Sequence, residues 1–210
     1  AGRSSVLLIE GEAGIGKTRL VETIVDDARS RRMAVFRGGA HPFERTRPFG
    51  LAAAALGLHT RSTDPSAAAI GRLLAGRGPE ASRLVGNVQF RVIEEIVDLV
   101  ESASVDRPVL LVAEDVHWAD TASLSTLLSL ARRLPLAPLL TVVTTRPSPP
   151  ADVVRLLDDL AAAGGRTLRL QPLTTHDVAD LAARSLGAVP GPHLTAMLAK
   201  AGGNPLWATA

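Results

Sequence analysis

The strongest constraint on this chain is the stretch Gly11-Glu12-Ala13-Gly14-Ile15-Gly16-Lys17-Thr18, which satisfies G-x-x-x-x-G-K-[ST] without a mismatch. Its surroundings fit. Val6-Leu7-Leu8-Ile9 before it is a short apolar run of buried-strand type, and Arg19 to Arg31 after it has a helical pattern. Glycines in such a turn let backbone N–H groups close around phosphates, and the following helix N-terminus adds partial positive charge. The pattern predicts a phosphate cradle from Gly11, Glu12, Ala13, Gly14, Ile15 and Gly16, with Lys17 reaching the β- and γ-phosphates. Thr18 offers its hydroxyl to Mg2+, and Arg19 completes the nucleotide-binding set. ATP and Mg2+ are the expected cofactors.

Lysine usage sharpens this reading. Of 23 basic residues only Lys17 and Lys200 are lysines; arginine serves elsewhere. A lysine kept inside the loop points to a need for a compact ammonium where a planar guanidinium would not fit.

A length of 210 residues allows one sizeable α/β domain, or a domain with a small lid. Hydrophobic residues make up 46% but aromatics only 3%, so the core is expected to be aliphatic. No apolar run approaches the roughly 20 residues of a membrane span. No signal-peptide pattern precedes the loop. The absence of cysteine excludes disulfides and thiolate metal sites and suits a cytoplasmic protein. The net charge of +2 is small, and the arginine clusters Arg29/Arg31/Arg32 and Arg132/Arg133 fall at expected helix ends, where they complement the helix dipole. A nucleic-acid surface is weakly supported by that pattern. The first strand begins within a few residues of Ala1 and Leu206 to Ala210 reads as mid-helix, so a segment of a longer protein is expected.

Five strand-like runs are expected at Ser5–Glu10, Ala34–Arg37, Val109–Ala113, Leu139–Thr144 and Thr167–Leu170. Most are continuously apolar, as in parallel strands covered on both faces. Alternation with helices implies right-handed βαβ units and an open three-layer α/β sheet. An insert at about residues 38–107 holds helices at Phe49–Leu58 and Val88–Ser102, with loop signals at Thr60–Pro65 and Gly76–Pro79. Pro147, Pro149 and Pro150 break the chain after the fourth strand. Helices at Thr175–Leu186 and Pro192–Ala201 follow a boundary near Gln171-Pro172. That boundary divides the chain into a nucleotide-binding core, 1–171, and an incomplete helical lid, 172–210.

A phosphate loop needs an acidic partner for its metal. Val109-Leu110-Leu111-Val112-Ala113 ends in Glu114-Asp115, at the carboxyl edge of a strand where open α/β sheets bind ligands. One carboxylate is expected to hold Mg2+ and the other to polarise the attacking water, with the division left open. Next to a phosphate loop, this reading outweighs that of two solvated acids at a strand end. Arg146, after Thr144-Thr145, would sit beside the γ-phosphate if its strand lies between the first and third, and so joins Lys17, Glu114 and Asp115 as a catalytic candidate. Trp118 reads as packing between the third strand and the next helix. His117 reads as packing ahead of a base, and Asp120-Thr121 as a helix start with Asp120 as N-cap.

Glu114-Asp115-Val116-His117-Trp118-Ala119-Asp120 resembles the "EDLHWAD" Walker B form of AAA-type ATPase modules in STAND-class signal-transduction NTPases, as in large LuxR-type, MalT-like bacterial transcription regulators and some multidomain adenylate cyclases. Arg47-Pro48-Phe49-Gly50, Thr144-Thr145-Arg146, Leu173-Thr174 before an Asp177-containing helix, and Gly202-Gly203-Asn204-Pro205-Leu206 resemble further family motifs, the last with Pro205 near the nucleotide. The family's first position commonly carries Asp for the metal; here it is Glu114. The upstream "VGRE"-like motif is not in this sequence, nor are helix-turn-helix, tetratricopeptide-like or cyclase segments.

The resemblance implies an AAA-like P-loop NTPase with a five-stranded parallel sheet and a truncated C-terminal helical lid. It implies an ATP-binding, slowly hydrolysing regulatory switch, with Arg146 and the region around Pro205 reporting nucleotide state. ATP and ADP would be its ligands, DNA would be reached only through domains outside this chain, and nucleotide-dependent self-association is compatible. The effector is not specified. A small-molecule kinase would need an arginine-rich closing lid, and a replication-initiator-type ATPase a basic DNA-facing element; neither is visible in the sequence.

Overall fold

The computed structural model describes residues 2–76, 88–200 and 202–209. Five strands, β1 Ser5–Glu10, β2 Ala34–Gly39, β3 Val109–Glu114, β4 Leu139–Thr145 and β5 Arg166–Arg169, form one sheet in the order β2-β3-β4-β1-β5. Every pairing is parallel. The helices are α1 Lys17–Ser30, α2 Gly50–Leu56, α3 Pro65–Leu74, α4 Val88–Asp106, α5 Thr121–Arg133, α6 Ala151–Ala162, α7 Thr175–Leu186, α8 Pro192–Ala199 and α9 Pro205–Thr209.

Alternate residues of the central strands feed two separate cores. Leu110 and Val112 of β3, Ile9 of β1 and Val142 of β4 pack with Val21, Val25 and Ala28 of α1. Val109, Leu111 and Ala113 of β3, with Val6, Leu8 and Val143, pack on the other face against α2, α4, α5 and α6. Both faces are thus covered by aliphatic side chains, which is why these strands read as unbroken apolar runs. The result is a three-layer α/β P-loop NTPase-like fold. Its strands all point their carboxyl ends to one edge, where Gly11, Asp115 and Arg146 follow β1, β3 and β4.

The insert and the last strand differ from the sequence expectation. Two helices, α3 and α6, lie where no helix is expected. Asp64 caps α3 by accepting from the Ala67 N–H at 2.8 Å, with Pro65 at the first helical position, where its missing N–H costs nothing. Pro150 likewise marks the start of α6 rather than only a break. β5 runs one residue earlier than expected, and all four of its residues are exposed; among the described residues it is an edge strand paired only with β1. Of the Gly76–Pro79 loop signal, residues 77–79 lie outside the described residues, as does Ala201. No described helix is long and apolar enough to cross a membrane.

Candidate nucleotide site

The loop between β1 and α1 has the form that its glycines permit. Gly14 has φ of 78° and Gly16 of 103°, in the left-handed region that side-chain-bearing residues seldom adopt. Gly16 sits at the N-cap of α1 without a capping side chain, so the first N–H groups of the helix stay available to an anion. Ile15 is buried, anchoring the loop, whereas Glu12, Ala13, Thr18 and Arg19 are exposed. The Lys17 ammonium is buried and donates to the carbonyls of Gly11 at 2.7 Å and Glu12 at 2.9 Å. Burial pushes its pKa down; Asp115 pulls it back up, Arg146 pushes it down again, and Glu12 pulls it up.

β4 lies between β1 and β3, which brings Arg146 to the loop. An open cleft of about 500 Å3 is lined by Gly14, Lys17, Thr18, Asp115, Arg146 and, from the C-terminal helices, Leu181, Pro205 and Leu206. Three of the predicted polar groups around Thr18 therefore converge: Lys17, Asp115 and Arg146. Glu114 does not line this cleft. In the β2–β3 register Arg37 is opposite Val112, so Glu114, two residues on, shares its face, and Arg37 Nε donates to Glu114 Oε1 at 2.7 Å. The signal for this partner was a lone arginine in the otherwise apolar start of β2. Asp115 leaves the strand with φ of 53°, and its N–H donates to Thr144 Oγ1 at 2.9 Å.

The C-terminal glycine-rich segment contacts the loop directly. Asn204 Nδ2 donates to the Ala13 carbonyl at 2.8 Å, the Leu206 N–H donates to the Gly14 carbonyl at 3.3 Å, and Asn204 Oδ1 accepts from the Leu206 N–H at 3.0 Å. A Cβ on Gly14 would lie 2.7 Å from Leu206 Cβ. Sequence reasoning selected Pro205, which lines the cleft; it missed the loop bonds of Asn204 and Leu206, for which an amide after two glycines was the available signal.

Asp120 ties the start of α5 to the start of α2. It caps α5 through the Ser123 N–H at 2.9 Å, accepts the Ser123 hydroxyl at 2.6 Å, and accepts the Phe49 N–H at 2.8 Å. Ser123 Oγ in turn accepts the Ala52 N–H at 3.1 Å. Asp120 of the Walker B continuation and Phe49 of the Arg47-Pro48-Phe49-Gly50 motif thus belong to one buried network. Trp118 packs partly buried against the larger core.

The model of the AAA ATPase domain family matches residues 1–143. The chain belongs to that family. This AAA ATPase domain is 31% identical over 203 residues to an uncharacterized protein of Rhizobium meliloti (strain 1021), covering 84% of this chain and 19% of that protein. Its fold matches a Pyrococcus horikoshii signal transduction ATPase with numerous domains (STAND), which carries a tetratricopeptide repeat sensor, with a TM-score of 0.52 and 21% identity over 97% of this chain and 26% of the other. It also matches the Aeropyrum pernix ORC1 protein in complex with DNA, at a TM-score of 0.54 and 21% identity over 97% of this chain and 51% of that one. At these identities the structural likenesses show the fold. The AAA ATPase domain spans about a fifth of its curated relative.

Proposed function

We propose that this domain binds Mg-ATP, hydrolyses it slowly and acts as a regulatory switch within a multidomain signalling protein, in the manner of a STAND-class bacterial transcription regulator. The observation that carries the reading is the convergence of Lys17, Thr18, Asp115 and Arg146 on one cleft walled by α7 and α9. The residues suit the cofactor: loop N–H groups and Lys17 would hold the phosphates, and Thr18 and Asp115 offer the hard oxygens that Mg2+ prefers. Bound Mg2+ would neutralise charge developing on the phosphoryl oxygens. Arg146 would sense the γ-phosphate. Asn204 and Leu206, bonded to loop carbonyls, would pass the loop's state to α9. Slow turnover is supported by the ion pair of Glu114 with Arg37, which holds that carboxylate away from the cleft.

The expected division reverses the family's usual order: Asp115, which lines the cleft, serves the metal, and Glu114 acts later, on water, when Arg37 releases it. Asp115→Asn should then lose most of the affinity that Mg2+ adds to ATP, while Glu114→Gln keeps affinity and slows single-turnover hydrolysis. Titrations with and without Mg2+, beside the single-turnover rate, read both; the opposite pattern reverses the assignment, and two wild-type-like mutants reject the acidic pair.

A second reading, a DNA-acting ATPase of replication-initiator type, is favoured by the fold likeness to the ORC1 protein. Steady-state phosphate release and a DNA titration at two salt concentrations separate the readings. The switch predicts slow release and DNA association that is weak and fades with salt. Fast turnover, or salt-resistant binding to one DNA sequence, would overturn it.

A further inference from the structure

Asp115 is fixed through its backbone but not through its carboxylate. Its left-handed φ and the Thr144 hydroxyl set the main chain. The carboxylate is half-exposed and lies 4.0 Å from His117 Nδ1. That imidazole is 5% exposed, and among the described residues neither ring nitrogen has a hydrogen-bond partner. Burying an unpaired polar group costs free energy that an aliphatic side chain of similar volume would not. Packing therefore does not explain a histidine here, although the Trp118 ring lies 5.1 Å from it, tilted by 48°. The contact with the Asp115 carboxylate is made by Nδ1, and an imidazole N–H can donate to it.

We infer that His117 is a positioning residue whose Nδ1–H closes onto the Asp115 carboxylate when Mg-nucleotide fills the cleft, turning that carboxylate toward Thr18. A 4.0 Å separation is too long for a hydrogen bond, and bonds of this kind often lengthen in unliganded sites and tighten in the complex. A ligating carboxylate needs such a second partner to keep one orientation, and losing it typically costs 10–100-fold in metal affinity or activity. His117 is two residues from Asp115 across the short 3-10 turn Val116–Trp118, so closure requires a side-chain movement of about 1 Å, from 4.0 Å to an ordinary N–H···O distance of ~3 Å. The inference rests on the Mg-ATP reading.

The test uses three variants of the 210-residue chain. His117→Leu fills the space without a donor, His117→Asn places an amide nitrogen near the Nδ1 position, and His117→Gln places it near Nε2. Thermal unfolding, ATP affinity in EDTA, ATP affinity with Mg2+ and single-turnover rate are measured for each. His117→Leu should unfold at or above the wild-type temperature and bind ATP in EDTA as wild type does. It should lose roughly 10–100-fold of the Mg2+-dependent gain in affinity. His117→Asn should recover much of that gain and His117→Gln little. A leucine variant with the full Mg2+ gain, or asparagine and glutamine variants that behave alike, would overturn the inference; the latter comparison decides it even if His117→Leu fails to fold. Wild-type protein that binds ATP without any gain from Mg2+ would instead reject the metal reading, and the inference with it.

Discussion

Replacing Lys17 by alanine should reduce Mg-ATP affinity roughly 30- to several-thousand-fold, because truncating one member of a buried, hydrogen-bonded charge pair costs about 2–5 kcal/mol. The ammonium is buried beneath the loop, 2.7 Å from the Gly11 carbonyl and 2.9 Å from that of Glu12. Those carbonyls hold it in the cavity where a phosphate would arrive, and the nucleotide must compete for it. Its depressed pKa has burial as the leading cause, so water screens this charge less than a free one and an arriving triphosphate gains from it. Removing it leaves the loop N–H groups and the dipole of α1, which bind anions with less charge. Calorimetric titration of wild type and Lys17→Ala with Mg-ATP checks this, and equal affinities would reject the loop as the phosphate site. Because Lys17 bridges two carbonyls of its own loop, thermal unfolding of the unliganded pair should differ much less than their affinities.

Asp120→Ala should be the most damaging substitution for stability in the region of the site. The carboxylate accepts the Phe49 N–H at 2.8 Å, the Ser123 N–H at 2.9 Å and the Ser123 hydroxyl at 2.6 Å, and Asp120 is 5% exposed. Loss of the cap costs about 0.5–2 kcal/mol. Buried donors left unpaired add about 1–3 kcal/mol. For a domain of this size each kcal/mol lowers the midpoint by roughly 2–4 °C, so a fall on the order of 10 °C is expected. Asp120→Asn keeps one carbonyl oxygen for both N–H groups and should lose distinctly less. Thermal unfolding of the two variants checks the order, and an unperturbed alanine variant would show that α2 does not depend on the network.

What was legible in the sequence follows from where local chemistry decides structure. The strand β1, the glycine turn and the acidic end of β3 were readable because unbroken aliphatic runs, positive-φ glycines and strand-end charges each have few alternative uses. α7 was readable to the residue because Thr174 and Asp177 form a reciprocal capping box. α6 is hidden in the sequence although Val153, Leu156 and Leu160 recur at helical spacing and are buried, because the three prolines before it read as a break. The ends of β5 are not marked in the sequence, because an exposed edge strand has no apolar run to delimit it. In the site, sequence could name Glu114 and Asp115 but not divide them. The division proposed above rests on Arg37, 77 positions away in the chain, which bonds Glu114 across the β2–β3 register. The same holds for Asn204, whose amide reaches Ala13 from the other end of the chain; no local pattern specifies a partner at that separation.

The central claim is that one Mg-ATP binds across the loop, Asp115, Arg146 and the C-terminal helices. Calorimetric titration of the wild-type 210-residue chain with ATP, in Mg2+ and then in EDTA, tests it most directly. The account predicts saturable binding of one nucleotide per chain, tightened by Mg2+. A flat titration, or binding indifferent to Mg2+, would contradict it.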